Sequence, residues 1–86
     1  MEIVYTDEAV KDIVYWKKLG DVRVQKKIQI LLEAMAEDPK AGIGKPELLK
    51  HGLSGLWSRR INKEHRIVYK ITSDNTLEIL SLRGHY

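Results

Sequence analysis

The hydrophobic period of this chain changes once, and that change constrains the fold more than any other feature. Up to Asp38 the apolar residues recur at helical spacing, and from Leu56 onward they alternate. Val24, Ile28, Leu31, Leu32 and Met35 mark an amphipathic helix that Asp21 caps and Asp38-Pro39 ends. Before it, Thr6 is a good N-cap, with Asp7 and Glu8 placing negative charge in the first turn of another helix. Val10, Ile13, Val14 and Trp16 mark one face of that helix, which stops at Gly20. The short Gly20-Asp21 joint implies an antiparallel helix hairpin. Ahead of both helices, Glu2-Ile3-Val4-Tyr5 reads as a short strand.

Residues 40–55 hold Gly42, Gly44, Pro46, Gly52 and Gly55 and read as a loop-rich connection. Beyond it, Leu56–Asn62, His65–Thr72 and Leu77–Arg83 read as strands, with turns at Asn62-Lys63-Glu64 and Ser73-Asp74-Asn75. Ile67, Tyr69 and Ile71 take one face, and Arg66, Val68 and Lys70 the other. The predicted fold is a single α+β domain over residues 1–86, ordered β-α-α-β-β-β. Its antiparallel sheet carries both helices on one face and leaves the Arg66 face partly open.

Eighty-six residues bury only a small core. The absence of cysteine excludes disulfides, thiolate metal sites and a thiol nucleophile, which suits a reducing cytoplasm. The longest apolar run, Ile13–Trp16, is too short to span a membrane, and the acidic N-terminus does not read as a secretory signal. His51, His65 and His85 lack paired ligand spacing, so no metal or other cofactor is expected. Gly42-Ile43-Gly44-Lys45 fails as a phosphate loop because Pro46 stands where Ser or Thr is needed. Ser54 and Ser58 lie in no nucleophile elbow.

The net charge of +3 is unevenly spread. Between Lys45 and Lys70, seven Lys/Arg face two acids, a net of +5, with Trp57 and Tyr69 interleaved. Aromatics among cations suit base stacking beside phosphate, and equally suit a core with a basic rim. Arg60 and Arg66 share a face only if the strands pair residues whose numbers sum to an even value, which calls for an odd-length turn. Opposed like charges repel unless an anion sits between them. A second cationic cluster, Lys17, Lys18, Arg23, Lys26 and Lys27 around Asp21, lies where the helices meet and reads either as a docking patch for nucleic-acid phosphates or as a solvated face. On composition alone, Arg83-Gly84-His85-Tyr86 reads as a frayed end.

Gly44–His51, Leu53–Ile61, Glu64–Tyr69, the Tyr15-Trp16 pair and His85-Tyr86 together resemble the YoeB/Txe branch of the RelE toxin superfamily over nearly the whole chain. The resemblance implies a microbial-RNase-like fold and a cytoplasmic toxin of a type II toxin–antitoxin system. Such a toxin cleaves mRNA in the ribosomal A site, is silenced by a YefM/Phd-type antitoxin and can form a homodimer. It further implies Glu47 as general base, His85 as general acid and Arg66 as stabiliser of the phosphorane-like transition state. Lys50 and Arg60 would assist with phosphate charge and Tyr86 would orient substrate. Gly84 departs from relatives that carry an aromatic there.

The residue types fit RNA cleavage without a metal. A carboxylate can take the proton of a ribose 2′-OH, and an imidazolium can protonate the departing 5′-oxygen. An Arg fork can hold two phosphate oxygens as charge gathers on them. The products expected are a 2′,3′-cyclic phosphate and a 5′-OH. A carboxylate on Tyr86 beside His85 would favour the imidazolium. Two other readings compete: a non-catalytic toxin of the same fold, like the gyrase-binding ParE type, and a basic RNA-binding module.

Overall fold

The computed structural model describes residues 1–50 and 55–84, so Ser54, His85 and Tyr86 lie outside the described residues. The elements are β1 (Glu2–Tyr5), α1 (Asp7–Leu19), α2 (Val22–Glu37), β2 (Glu47–Leu48), β3 (Leu56–Arg60), β4 (Arg66–Ile71) and β5 (Thr76–Ser81). One five-stranded sheet runs β1-β5-β4-β3-β2. The α+β class and the antiparallel meander of the last three strands are as predicted.

Two features of the sheet differ from expectation. It is mixed rather than antiparallel, because β1 pairs parallel to β5, with Glu2 opposite Thr76 and Tyr5 opposite Ile79. β1 leads straight into the helix hairpin rather than a tight turn, a long crossover of the kind parallel pairing requires, and Thr6 extends the β1–β5 ladder. Its N–H donates to the Ile79 carbonyl and its hydroxyl to that of Leu80, each at 3.0 Å. The second difference is β2, a two-residue edge strand inside the predicted loop. The three long strands are also one or two residues shorter than their sequence patterns.

The helices begin and end where their caps place them. Thr6 Oγ1 accepts from the Ala9 N–H at 3.1 Å, and Asp21 Oδ1 from the Val24 N–H at 3.1 Å. Gly20 closes α1 at φ 74°, a left-handed conformation that glycine adopts without a Cβ clash. The buried stripe of α1 is Ala9, Asp12 and Trp16, with Ile13 partly buried; the predicted Val10 and Val14 are exposed. Asp12 breaks the apolar reading because it is buried for hydrogen bonding, not for hydrophobicity. On α2 the predicted stripe of Val24, Ile28, Leu31 and Met35 is buried.

Both helices cover the face bearing Ile67, Tyr69, Leu77 and Ile79. Leu31 and Met35 are wholly buried there, and truncating either to Ala removes about 2–5 kcal/mol. Trp57 packs against this core and Tyr69 lies within it, so the core reading holds for both. The opposite face is less open than expected, since Ser58, Val68 and Ser81 on it are buried.

Candidate active site

The site begins with a cation that points away from it. Arg59 alternates onto the core face of β3 and is fully buried, although its charge belongs to the basic segment. Its guanidinium donates to the carbonyls of Asp38 (2.5 Å), Ala41 (2.9 Å) and Ile43 (3.1 Å), and its Nε to the Tyr69 hydroxyl (3.1 Å). Tyr69 in turn donates to the Pro39 carbonyl at 2.7 Å. Burial pushes the Tyr69 phenol pKa up, and the Arg59 hydrogen bond partly offsets this. One guanidinium thus gathers the C-terminal end of α2 and the loop after it, where carbonyls lack helical partners.

That loop delivers Glu47. Gly44 sits at φ 83° with its α-carbon against Leu31 and Arg59, where an added Cβ would lie 2.7 Å from Leu31 Cδ2. Its carbonyl accepts from the Arg60 N–H at 2.7 Å. Lys45 follows at φ 52°, a strained conformation for a residue with a side chain. Then β2 pairs Glu47 with Ser58 and Leu48 with Trp57.

Register decides which side chains meet. β3 pairs with β4 so that Arg60 opposes Arg66 across a five-residue turn, Ile61–His65. The sum is even, so the two arginines share a face, as the parity argument requires. Glu47 joins that face through its pairing with Ser58. Arg66 Nη1 lies 3.2 Å from Ser58 Oγ, to which it donates, and 3.7 Å from Glu47 Oε2. The Glu47 side chain is 62% exposed and that of Arg66 19%, so this ion pair adds at most about 1 kcal/mol to stability. Its effect is positional: a carboxylate and a guanidinium are held side by side at the surface, with Arg60 beside them. Two cations against one carboxylate leave a seat for an anion.

The far side of the site is fixed by the segment after β5. The Leu82 N–H donates to Asp12 Oδ2 at 2.8 Å, and its carbonyl accepts from Trp16 Nε1 at 2.9 Å. The Arg83 guanidinium lies over the Tyr15 ring, 3.6 Å from its centroid. The Gly84 carbonyl accepts from the Arg66 N–H, and the Gly84 N–H donates to His65 Nδ1, both at 2.9 Å. The frayed end expected over Arg83–Tyr86 therefore does not include Arg83 and Gly84, and its last two residues lie outside the described ones. Arg66 uses its side chain to meet Glu47 and its backbone to hold the residue before His85.

Lys50 is exposed three residues beyond Glu47 and joins none of the ion pairs among the described residues. The predicted docking cluster divides. Lys27 lines a cleft of about 290 Å³ with Lys45, Arg60 and Lys63 at the β3–β4 turn, at the edge of the arginine face. Arg23 shares an adjoining cleft with Lys27, while Lys17 borders a different, apolar groove beside Ile3 and Leu32. Lys18 and Lys26 are exposed. Sequence reasoning missed Asp12, Arg59 and His65. The signal for Asp12 was a carboxylate at helical spacing between Ala9 and Trp16; Arg59 was betrayed by strand alternation with Trp57.

Comparison with known proteins matches residues 5–86 to the family described as YoeB-like toxin of bacterial type II toxin–antitoxin systems. Toxin YoeB of Synechocystis is 50% identical over 86 residues, spanning 100% of this chain and 98% of that protein. A solved YoeB/ParE toxin from Agrobacterium tumefaciens superposes with a TM-score of 0.93 at 41% identity, covering 100% of both chains. A Staphylococcus aureus YoeB has been solved as a dimer (TM-score 0.88) and in a heterotetrameric complex with YefM (TM-score 0.87). It is 41% identical in both, covering 100% of this chain and 98% of that one.

Proposed function

This chain belongs to the YoeB-like toxins of bacterial type II toxin–antitoxin systems, and from that premise we propose that it is a ribosome-dependent mRNA endoribonuclease. The observation that carries the reading is the Glu47–Arg66 pair, standing on one sheet face beside Arg60 while the Arg66 backbone holds Gly84. A gyrase-binding toxin or a passive RNA-binding module has no need of an exposed carboxylate poised against a guanidinium.

In this reading Glu47 takes the 2′-OH proton, and the freed oxygen attacks the adjacent phosphorus. Arg66, with Arg60 and Lys50, holds the oxygens on which negative charge gathers. His85 gives its proton to the departing 5′-oxygen, and Tyr86 orients the nucleotide. The products are a 2′,3′-cyclic phosphate and a 5′-OH, so DNA, lacking the 2′-OH, is not cut. The Lys27, Lys45, Arg60 and Lys63 cleft supplies further contacts for RNA phosphates, joined by the exposed Lys18, Arg23 and Lys26 toward rRNA, with Lys17 at their edge. The ribosome presents the mRNA, and the site of action is the cytoplasm. A YefM-type antitoxin is the silencing partner, as YefM assembles with the S. aureus relative, and a homodimer accords with that relative's dimer.

The test is translation of a defined mRNA in a purified system, with 5′ ends mapped for wild type, Glu47→Gln and His85→Ala. Wild type is expected to yield new 5′-OH ends at a ribosomal A-site codon, and each variant to lose them. Cleavage that survives both substitutions overturns the residue roles, and no cleavage by wild type overturns the nuclease reading.

A further inference from the structure

We propose that His65 is a proton-sensitive positioning residue, whose unprotonated Nδ1 holds Gly84 against the backbone of Arg66. The hydrogen bond itself sets the protonation. A backbone N–H can only donate, so Nδ1 must accept from Gly84, and an imidazole nitrogen accepts only when it carries no proton. The neutral ring then has its hydrogen on Nε2. Adding a proton at Nδ1 places two N–H groups face to face across 2.9 Å and breaks the contact.

The ring has little freedom to evade this. Its edge meets Trp16, with centroids 4.8 Å apart and planes at 84°, and Trp16 is itself fixed by the Leu82 carbonyl. Asn62 Oδ1 accepts from the His65 N–H at 2.8 Å, and the His65 carbonyl accepts from Ile61 and Asn62. The imidazole is therefore mounted on a hydrogen-bonded turn with Nδ1 aimed at the Gly84 N–H.

The charged groups around it are few. On its own turn the Glu64 carboxylate lies 4.0 Å from Nε2. From α1 the ring faces uncharged Trp16, while the Asp12 carboxylate is engaged by Leu82. From the C-terminal segment the nearest cation in sequence, Arg83, is stacked on Tyr15. The neighbouring Arg66 guanidinium is turned to Ser58 and Glu47.

The consequence for catalysis rests on the assignment of His85 as general acid; the latch on Gly84 does not. His85 follows Gly84 directly in the sequence, so losing one of the two bonds to Gly84 loosens the residue that precedes it.

The test uses the full chain labelled with 15N. A scalar coupling between Gly84 N and His65 Nδ1 is expected across the N–H···N bond, together with slow exchange of the Gly84 amide. Both should vanish wherever the ring nitrogen signals show a proton on His65 Nδ1. His65→Phe keeps a ring against Trp16 but removes the acceptor, so Gly84 should lose protection at every pH while the Trp16 indole signal stays in place. His65→Asn offers a non-titrating oxygen and should keep Gly84 protected at acid pH. In cleavage assays near neutral pH, His65→Phe should lower kcat by about tenfold or more with KM little changed. His65→Asn should restore most of kcat, because it returns an acceptor to the Gly84 N–H. Absence of the coupling, or unchanged Gly84 protection in His65→Phe, overturns the latch. A wild type that cuts no mRNA overturns the nuclease reading instead, and the coupling still decides the latch.

Discussion

Arg59→Met tests whether a buried cation holds the loop that carries Glu47. Methionine fills much of the same volume and keeps the apolar stem, so the change removes mainly the guanidinium. Four hydrogen bonds are lost, three to the carbonyls of Asp38, Ala41 and Ile43 and one to the Tyr69 hydroxyl. Gross, each bond to a charged donor is worth about 1.5–3 kcal/mol, but burying the cation already costs several kcal/mol. The net loss is nearer about 1 kcal/mol for each acceptor left without its donor, or about 3–4 kcal/mol in all. For 86 residues the whole stability is about 4–13 kcal/mol, so this loss removes between about a quarter and nearly all of the margin. Urea unfolding followed by the fluorescence of Trp16 and Trp57 measures this directly. Arg59→Lys retains the charge but replaces a planar fork with a point donor that reaches one or two of the carbonyls, so it should lose about half as much. Cleavage should fall in both even under conditions where they remain folded, since Glu47 lies just beyond the loosened loop. If Arg59→Met unfolds within about 1 kcal/mol of wild type, the anchoring argument is wrong.

Gly44→Ala should destabilise by about 2 kcal/mol or more, because the new Cβ meets Leu31 in a left-handed backbone; a thermal melt checks it. Burial raises the Tyr69 phenol pKa above the ordinary 10.0, so its stabilising contribution is complete below that value and is lost as pH climbs through the raised one. Urea midpoints should therefore drop on the alkaline side, and Tyr69→Phe should show a shallower drop. Glu47→Gln should abolish cleavage while shifting stability by less than about 1 kcal/mol, since its pair with Arg66 is largely exposed. Reversing the charge of Lys27 and Lys45 together should weaken ribosome binding and flatten its dependence on salt; an unchanged slope would remove their cleft from the RNA path.

What could be read from the sequence was what repeats. Helical spacing gave α2 and alternation gave the three-strand meander, because burial on one side imprints a period. The Arg60–Arg66 pairing followed from parity once the turn was odd in length. The singular contacts left no period to read. Asp12 sits in an apolar stripe because a backbone N–H 70 positions away needs an acceptor. Arg59 is buried because carbonyls at the end of α2 need a donor, and its charge counted by composition as part of the basic surface. Glu47 and Arg66 could be nominated as residues, but their meeting depended on β2, whose two residues are too few to show alternation. His65 passed as a spare histidine because its partner is a glycine amide, which no side-chain pattern announces.

The parallel pairing of β1 with β5 also governs when this protein comes into being. Glu2 pairs with Thr76, 74 positions later, so the first strand to be synthesised has no neighbour until nearly the last has emerged. A nascent chain cut off at residue 75 lacks Leu77, Ile79 and Leu82 from its core, and lacks the segment that Asp12, Trp16 and His65 hold. Such a fragment cannot complete the sheet by local contacts, and closing so long a loop is slow in any case. The order of these strands thus keeps the toxin an unfinished polypeptide until β5 has been made.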